Sequence, residues 1–412
     1  MDIIIGAGIS GLSYAAFCGH DEYLILEQSD KIGGYCKTTE RNGFVWDYSG
    51  HFFHFKDKEM EQFIAQGIPA EDLLTVRKCT QIRYKDRLID YPFQMNIHQL
   101  PQQEFIDCLY DLFENPTTDF SNFKEMLYAK FGKSIADKFL IPYNTKLYAC
   151  DLNTLDKDAM GRFFPYAEKE QIVKNFKATN NDTYNATFVY PKHGAIQYVD
   201  SLASHVNQEA ICLNDTVIAI CPKEHTVTLR SGEKIHYDRL ISTVPFPKLM
   251  DLIGEPKNPA LSWNKVLVFN IGFDKLGLDT KNHWIYFPED KYCFYRVGFY
   301  SNILDADRCS LYVELGFDKA AEINPETLLP RVLRDLQEAQ IISADMQVVD
   351  YESIIMNPAY VHVSAEAMRY VTKQKAKLAK EDIYSIGRYG SWTYCSIEDN
   401  MKEAKALANH LN

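Results

Sequence analysis

The chain has 412 residues, 46% of them hydrophobic and 24% charged, the composition of an ordinary globular protein with room for two or three domains. Forty-four Lys and Arg against fifty-six Asp and Glu leave a net charge of −12, which argues against a nucleic-acid binder. An anionic small ligand stays compatible, because a few local arginines are enough to hold one. Ten scattered cysteines, none in C-x-x-C spacing, read as reduced thiols and exclude a disulfide scaffold or zinc site.

The apolar opening imitates a signal or membrane segment, but it lacks a basic n-region, carries Asp2 and runs into His20-Asp21-Glu22. The expectation is a cytoplasmic enzyme with no transmembrane segment. Residues 3–5 form a short buried-strand run, Gly6-Ala7-Gly8-Ile9-Ser10-Gly11 follows, residues 12–18 suit a closely packed helix, and 23–26 form a second strand ending in Glu27. Helical periodicity marks 57–66 and much of 99–162. Strand-like patterns return at 187–190 and 217–229, where Ser231-Gly232 signals a hairpin turn, and again at 239–245. Aromatic and β-branched strands are predicted at 266–273, 284–287, 294–299 and 311–315, and a helix at 325–339. A strand at 383–386 and a helix at 398–411 repeat the opening pattern. Without repeats or a long linker, the domains are expected to interleave.

In the opening, Gly6 permits a tight strand-to-helix turn, Gly8 lets the backbone approach a pyrophosphate, and Gly11 brings helix and strand together. With Ser10, these residues are assigned to a dinucleotide diphosphate held on helix N–H groups. Glu27 is placed to accept from a ribose 2′-hydroxyl and would repel the extra phosphate of NADP. The segment Glu27-Gln28-Ser29-Asp30-Lys31-Ile32-Gly33-Gly34-Tyr35-Cys36-Lys37-Thr38 resembles the "E…GG…T" stretch of the amine-oxidase-like FAD superfamily. Gly387-Arg388-Tyr389-Gly390-Ser391-Trp392 resembles its C-terminal FAD segment. The resemblance implies FAD, with Gly33, Gly34, Thr38, Gly387 and Arg388 around it and Val217 near the adenine.

Further motifs resemble the UDP-galactopyranose mutase family, more in its eukaryotic form. Ser49-Gly50-His51 is similar to the family's Gly-Gly-His loop beside the flavin. Tyr91-Pro92-Phe93-Gln94-Met95-Asn96-Ile97 resembles Y-P-F-Q-x-N-I, and Tyr143-Asn144-Thr145-Lys146-Leu147-Tyr148 resembles the helix bearing a uridine-pocket Asn and aromatic. Asn185-Ala186-Thr187-Phe188 resembles N-A-T-F, and Trp284-Ile285-Tyr286-Phe287-Pro288-Glu289-Asp290 with Phe294-Tyr295-Arg296 resembles W-x-Y-F-P-E-D…F-Y-R. By this resemblance Tyr91, Gln94, Asn144, Tyr148, Asn185, Tyr286, Tyr360 and Tyr394 contact a nucleotide sugar. Arg162 and Arg296 hold its diphosphate from two sides, and His51 orients the isoalloxazine. Two guanidinium forks suit a diphosphate on physical grounds, although an isolated arginine is more often a structural ion-pair partner.

The resemblance implies an α/β fold in three parts: a Rossmann-like FAD-binding domain (1–76, 191–262 and 377–412), a helical domain (99–186), and an antiparallel-sheet substrate domain (77–98 and 263–376). The reaction implied is the interconversion of UDP-galactopyranose, or a related NDP-hexopyranose, and its furanose form, for cell-surface polysaccharide synthesis. It would run through a bond between reduced flavin N5 and the sugar, after an external reductant, NAD(P)H, has reduced FAD. Ser49, His54, Lys78, Tyr148 and Glu398-Asp399-Asn400 depart from the family pattern, and they leave the hexose and nucleotide open. The alternative is an FAD-dependent amine oxidase or desaturase, which would have no diphosphate to bind.

Overall fold

The computed structural model describes residues 1–115, 119–182 and 186–412. Every residue of β1 (Asp2–Ile5) is buried; the chain then turns through glycine into α1 (Ile9–Phe17) and returns as β2 (Tyr23–Glu27). The two strands pair in parallel. Three strands from far along the chain complete their sheet, in the order Ile383–Ser385, Arg239–Ser242, β1, β2, Ile211–Leu213, all parallel.

A parallel sheet covered on both faces needs apolar residues at every position. β1 meets that need: Ile4 packs with Leu12 and Ala15 of α1 and with Met401, Ala404 and Ala408 of the terminal helix Ile397–Leu411. Ile3 and Ile5 pack on the other side with Val217, Leu229 and Phe246. The strand predicted over 217–229 is broken by a 3₁₀ turn at Pro222–Glu224 and by His225 at φ 50°. A three-stranded antiparallel sheet of Val217–Cys221, Thr226–Leu229 and Lys234–His236 results.

The seven strands of the second sheet run Val348–Met356, Asn264–Phe273, Ser310–Asp318, Arg296–Phe299, Trp284–Tyr286, Thr80–Tyr84, Arg87–Asp90. The expected antiparallel pattern holds except where Trp284–Tyr286 pairs in parallel with Thr80–Tyr84. The helical stretch divides into Gln102–Phe113, Phe123–Ile135, a π-helical turn at Ala136–Leu140, and Ile141–Tyr148. Gly132 interrupts it at φ 75°, where a Cβ would lie 2.4 Å from the Asp111 carbonyl oxygen. No described helix is long and apolar enough to cross a membrane, and no described cluster of His, Cys, Asp and Glu could hold a metal ion.

Candidate functional site

A cavity of about 980 Å³ brings together residues from both sheets and the helical stretch. The strand-to-helix turn supplies Gly6, Gly8 and Ser10, and nearby segments supply Glu27, Gly33 and Gly34. Gly6 sits at φ +104° and a Cβ on Gly11 would come 2.0 Å from the Gly6 carbonyl oxygen, so both positions demand glycine. A Cβ on Gly8 would meet nothing nearer than the Gly34 Cα at 3.8 Å, so the room it would take is cavity. Glu27, 6% exposed, accepts the Ala7 and Ser29 N–H groups at 2.9 Å each, which fixes its carboxylate at the cavity wall. Donors at a helix N-terminus, an open glycine cradle and a fixed carboxylate fit the diphosphate and ribose of FAD.

Ser49, Gly50 and His51 line the same cavity. A Cβ on Gly50 would strike the Tyr312 hydroxyl at 2.5 Å. His51 Nδ1 lies 2.9 Å from the Ser49 carbonyl oxygen, which only accepts, so Nδ1 carries the proton and Nε2 keeps its lone pair. Burial pushes the His51 pKa down to about 4 against the Ser49 hydrogen bond, and Arg388 adds to the lowering; the ring is neutral at pH 7. Arg388 spreads its guanidinium 4.5 Å above Tyr394 and 5.5 Å from Tyr360, with Nη1 on the Cys395 carbonyl oxygen and Nε buried without a partner. Gly387, at φ +86°, leaves room for Ser10, whose Oγ would lie 2.4 Å from a Cβ there.

The remaining walls are aromatic and polar. Tyr91, Tyr286, Tyr360 and Tyr394 line the cavity with Asn144 and Arg296. Tyr91 and Tyr286 rings lie 5.0 Å apart, and Tyr360 stacks on Tyr394 at 5.9 Å. Asn144 donates Nδ2 to the Leu140 carbonyl oxygen at 2.6 Å, while its buried Oδ1 has no partner. Arg296 commits Nε and Nη2 to Glu314 at 2.6 and 2.7 Å. Glu314, 1% exposed, also accepts the Ser49 hydroxyl, so a hydrogen-bonded chain runs from Arg296 through Glu314 and Ser49 to His51.

Several expected site residues stand elsewhere. Arg162 does not line the cavity with Arg296. Its Nη2 donates to both Asp399 oxygens at 2.9 and 2.8 Å and to Ser396 Oγ at 3.2 Å, beside a separate hollow of about 340 Å³. That hollow shares Phe163, Tyr394 and Cys395 with the main cavity. Gln94 is fully buried and does not line the cavity itself, but it donates to the carbonyl of Pro165, which does. Tyr148 lies behind the lining, its ring 5.8 Å from Tyr360. Thr38 donates to Asp47 at 2.6 Å in a buried network that Tyr190 and the Ala195 N–H complete, and Val217 belongs to the apolar core. Asn185 lies outside the described residues.

Two site residues escaped the sequence reading. Tyr143 lines the cavity one residue before Asn144, its ring 5.0 Å from Tyr286. Glu314 signals itself as a lone acid in an apolar strand, since a buried carboxylate requires a partner.

Among solved structures, reduced UDP-galactopyranose mutase matches with a TM-score of 0.92 at 26% identity, over 100% of this chain and 95% of that one. Cyclohexylamine oxidase from Brevibacterium oxydans IH-35A shares the fold, with a TM-score of 0.68 at 14% identity over 100% of this chain and 99% of its own. A curated zeta-carotene-forming phytoene desaturase from Myxococcus xanthus is 30% identical over 90 residues, 21% of this chain and 17% of that protein, so the chain matches about a sixth of the relative's length. The family model described as flavin containing amine oxidoreductase matches residues 10–364. With the glycine cradle and fixed Glu27 already suited to a flavin dinucleotide, this match makes the chain a member of the flavin containing amine oxidoreductase family.

Proposed function

We propose that the protein is a flavin-dependent sugar-nucleotide mutase that interconverts UDP-galactopyranose, or a related NDP-hexopyranose, with its furanose form. The observation that carries this reading is what lines the cavity beyond the glycine cradle: a guanidinium, an unpartnered buried amide oxygen and several tyrosines, Tyr91, Tyr143, Tyr286, Tyr360 and Tyr394 among them. An amine or polyene pocket needs none of the charge. The likeness to reduced UDP-galactopyranose mutase along the full chain supports the same reading.

Bound FAD, once reduced by an external donor such as NAD(P)H, would supply the nucleophile for the anomeric carbon. The protein's share is binding and orientation. Asn144 Oδ1 is an acceptor suited to the N3–H of a pyrimidine base. Arg296 keeps Nη1 for a phosphate oxygen while Glu314 fixes the plane of its fork, and the tyrosine hydroxyls add neutral donors. These contacts would offset charge gathering on the departing diphosphate. Neutral His51 offers Nε2 as an acceptor and holds no proton there to lose. Arg162 would join the diphosphate by exchanging Asp399 for phosphate, with the segment 151–162 closing on substrate.

The test is to reduce the purified protein with dithionite, add UDP-galactopyranose and resolve the products by chromatography. Furanose product from reduced protein alone is expected. Equal product from oxidised protein, or none from any nucleotide hexose, would sink the reading. Peroxide release with amines would establish the oxidase alternative.

A further inference from the structure

Lys146 lies two residues beyond Asn144 on the helix Ile141–Tyr148, yet its ammonium does not enter the cavity. It reaches the loop between the strands Trp284–Tyr286 and Arg296–Phe299. There Nζ lies 3.0 Å from the Phe287 carbonyl oxygen, 2.9 Å from that of Glu289, 2.8 Å from that of Tyr292 and 2.7 Å from that of Phe294. Four carbonyl dipoles pointing at one spot repel each other unless a cation sits between them, and three N–H donors serve all four with one shared. The loop's closed shape therefore depends on Lys146.

The backbone of the same helix is fixed to the sheet. A Cβ on Gly316 would lie 2.1 Å from the Lys146 carbonyl oxygen, so helix and strand touch directly. Asn264 donates to the Leu147 carbonyl oxygen at 2.6 Å, and His362 Nε2 lies 2.9 Å from that of Tyr148. The loop that Lys146 gathers in runs directly from Tyr286 towards Arg296, both of which line the cavity.

We propose that Lys146 is a positioning residue for the substrate: its ammonium sets the spacing between the wall that offers Asn144 and the wall that offers Tyr286 and Arg296. The proposal rests on the nucleotide-sugar reading, because a ligand held at both base and diphosphate senses that spacing. It adds a residue that does not itself line the cavity. Burial pushes the Lys146 pKa down to about 8, and Asp290, Cys293, Asp335 and Glu289 act in the other direction.

The test uses FAD-loaded K146M, which keeps the aliphatic stem and removes the donors. Amide hydrogen exchange of residues 285–296, measured without ligand, should quicken about tenfold or more. UDP affinity by calorimetry, and KM for UDP-galactopyranose, should weaken roughly ten- to a hundred-fold, while FAD content and kcat at saturation stay near wild type. Wild-type exchange together with wild-type UDP affinity would overturn the proposal, as would loss of FAD in step with UDP. K146Q, shorter and neutral but still a donor, is the second variant: intermediate values support the proposal and wild-type values on both measures overturn it. A wild-type protein that binds no UDP would instead remove the nucleotide-sugar reading, and the exchange comparison would still decide whether Lys146 holds the two walls.

Discussion

On the proposed function, the glycine cradle and the aromatic wall of the same cavity both hold an anionic ligand, by contrasting means. The cradle works by absence: Gly6, Gly8, Gly11, Gly33 and Gly34 leave backbone and space, and they lie within the first 34 residues. The wall works by presence. Tyr91, Asn144, Arg296 and Tyr360 come from distant segments, and their side chains are tied down by partners such as Glu314 and Leu140. A cradle of this kind should fail sharply when anything is added, and a wall of this kind should fail in proportion to what is taken away.

The largest expected effect breaks the wall. Arg296→Ala leaves the Glu314 carboxylate buried without its bidentate partner, at a cost of about 3–5 kcal/mol in chemical denaturation. R296M/E314L should recover most of that stability and none of the UDP affinity. If the double variant binds UDP normally, Arg296 is a structural partner and nothing more. Next comes the cradle: Gly11→Ala forces a Cβ against the Gly6 carbonyl oxygen, which should destabilise the fold by about 3 kcal/mol and strip FAD as read by flavin absorbance. A yellow, stable G11A would show that the turn has slack.

A smaller effect lies where the two regions meet, at His51. Its folded pKa of about 4 sits below the ordinary 6.5, so unfolding takes up a proton as pH falls through that window. The stability tied to the neutral ring is present above about pH 6.5 and is lost between pH 6.5 and 4, roughly 2.5 kcal/mol over that window. His51→Gln should flatten that part of the stability curve; a curve parallel to wild type would mean that His51 titrates normally. The smallest effect sharpens the contrast: Asn144→Ala removes one acceptor and should weaken UDP about tenfold, near 1.4 kcal/mol, with FAD untouched.

The cradle was legible in sequence because its constraint is local. A strand, three glycines, a helix and an acid after the next strand occupy 27 residues; Gly6 and Gly11 answer backbone requirements that no other residue meets, and Gly8 leaves cavity space. The wall was legible only as a set of motifs, and it is there that the geometry departs from expectation. Arg162 meets Asp399 across 237 positions, and no spacing rule announces such a pair. Tyr143 and Tyr148 are both aromatics on one short helix, and it is Tyr143 that lines the cavity while Tyr148 lies behind it. The edge strand Val348–Met356 carries exposed Val349, Tyr351 and Ile355, so its alternation does not follow the polar-out pattern that marks a strand in sequence.

The order of the parallel sheet also sets a timetable for biosynthesis. β2 ends at Glu27, and its outer neighbour begins at Ile211; at roughly 5–20 residues per second a ribosome needs on the order of 10–40 seconds to make what lies between. β1 waits longer for Arg239–Ser242, and the Gly387 that faces Ser10 comes later still. The nascent chain therefore carries a nucleotide cradle with apolar, half-paired strands through most of its synthesis. Flavin supply and chaperone cover during that interval, rather than the stability of the finished fold, should govern how much holoprotein a cell accumulates.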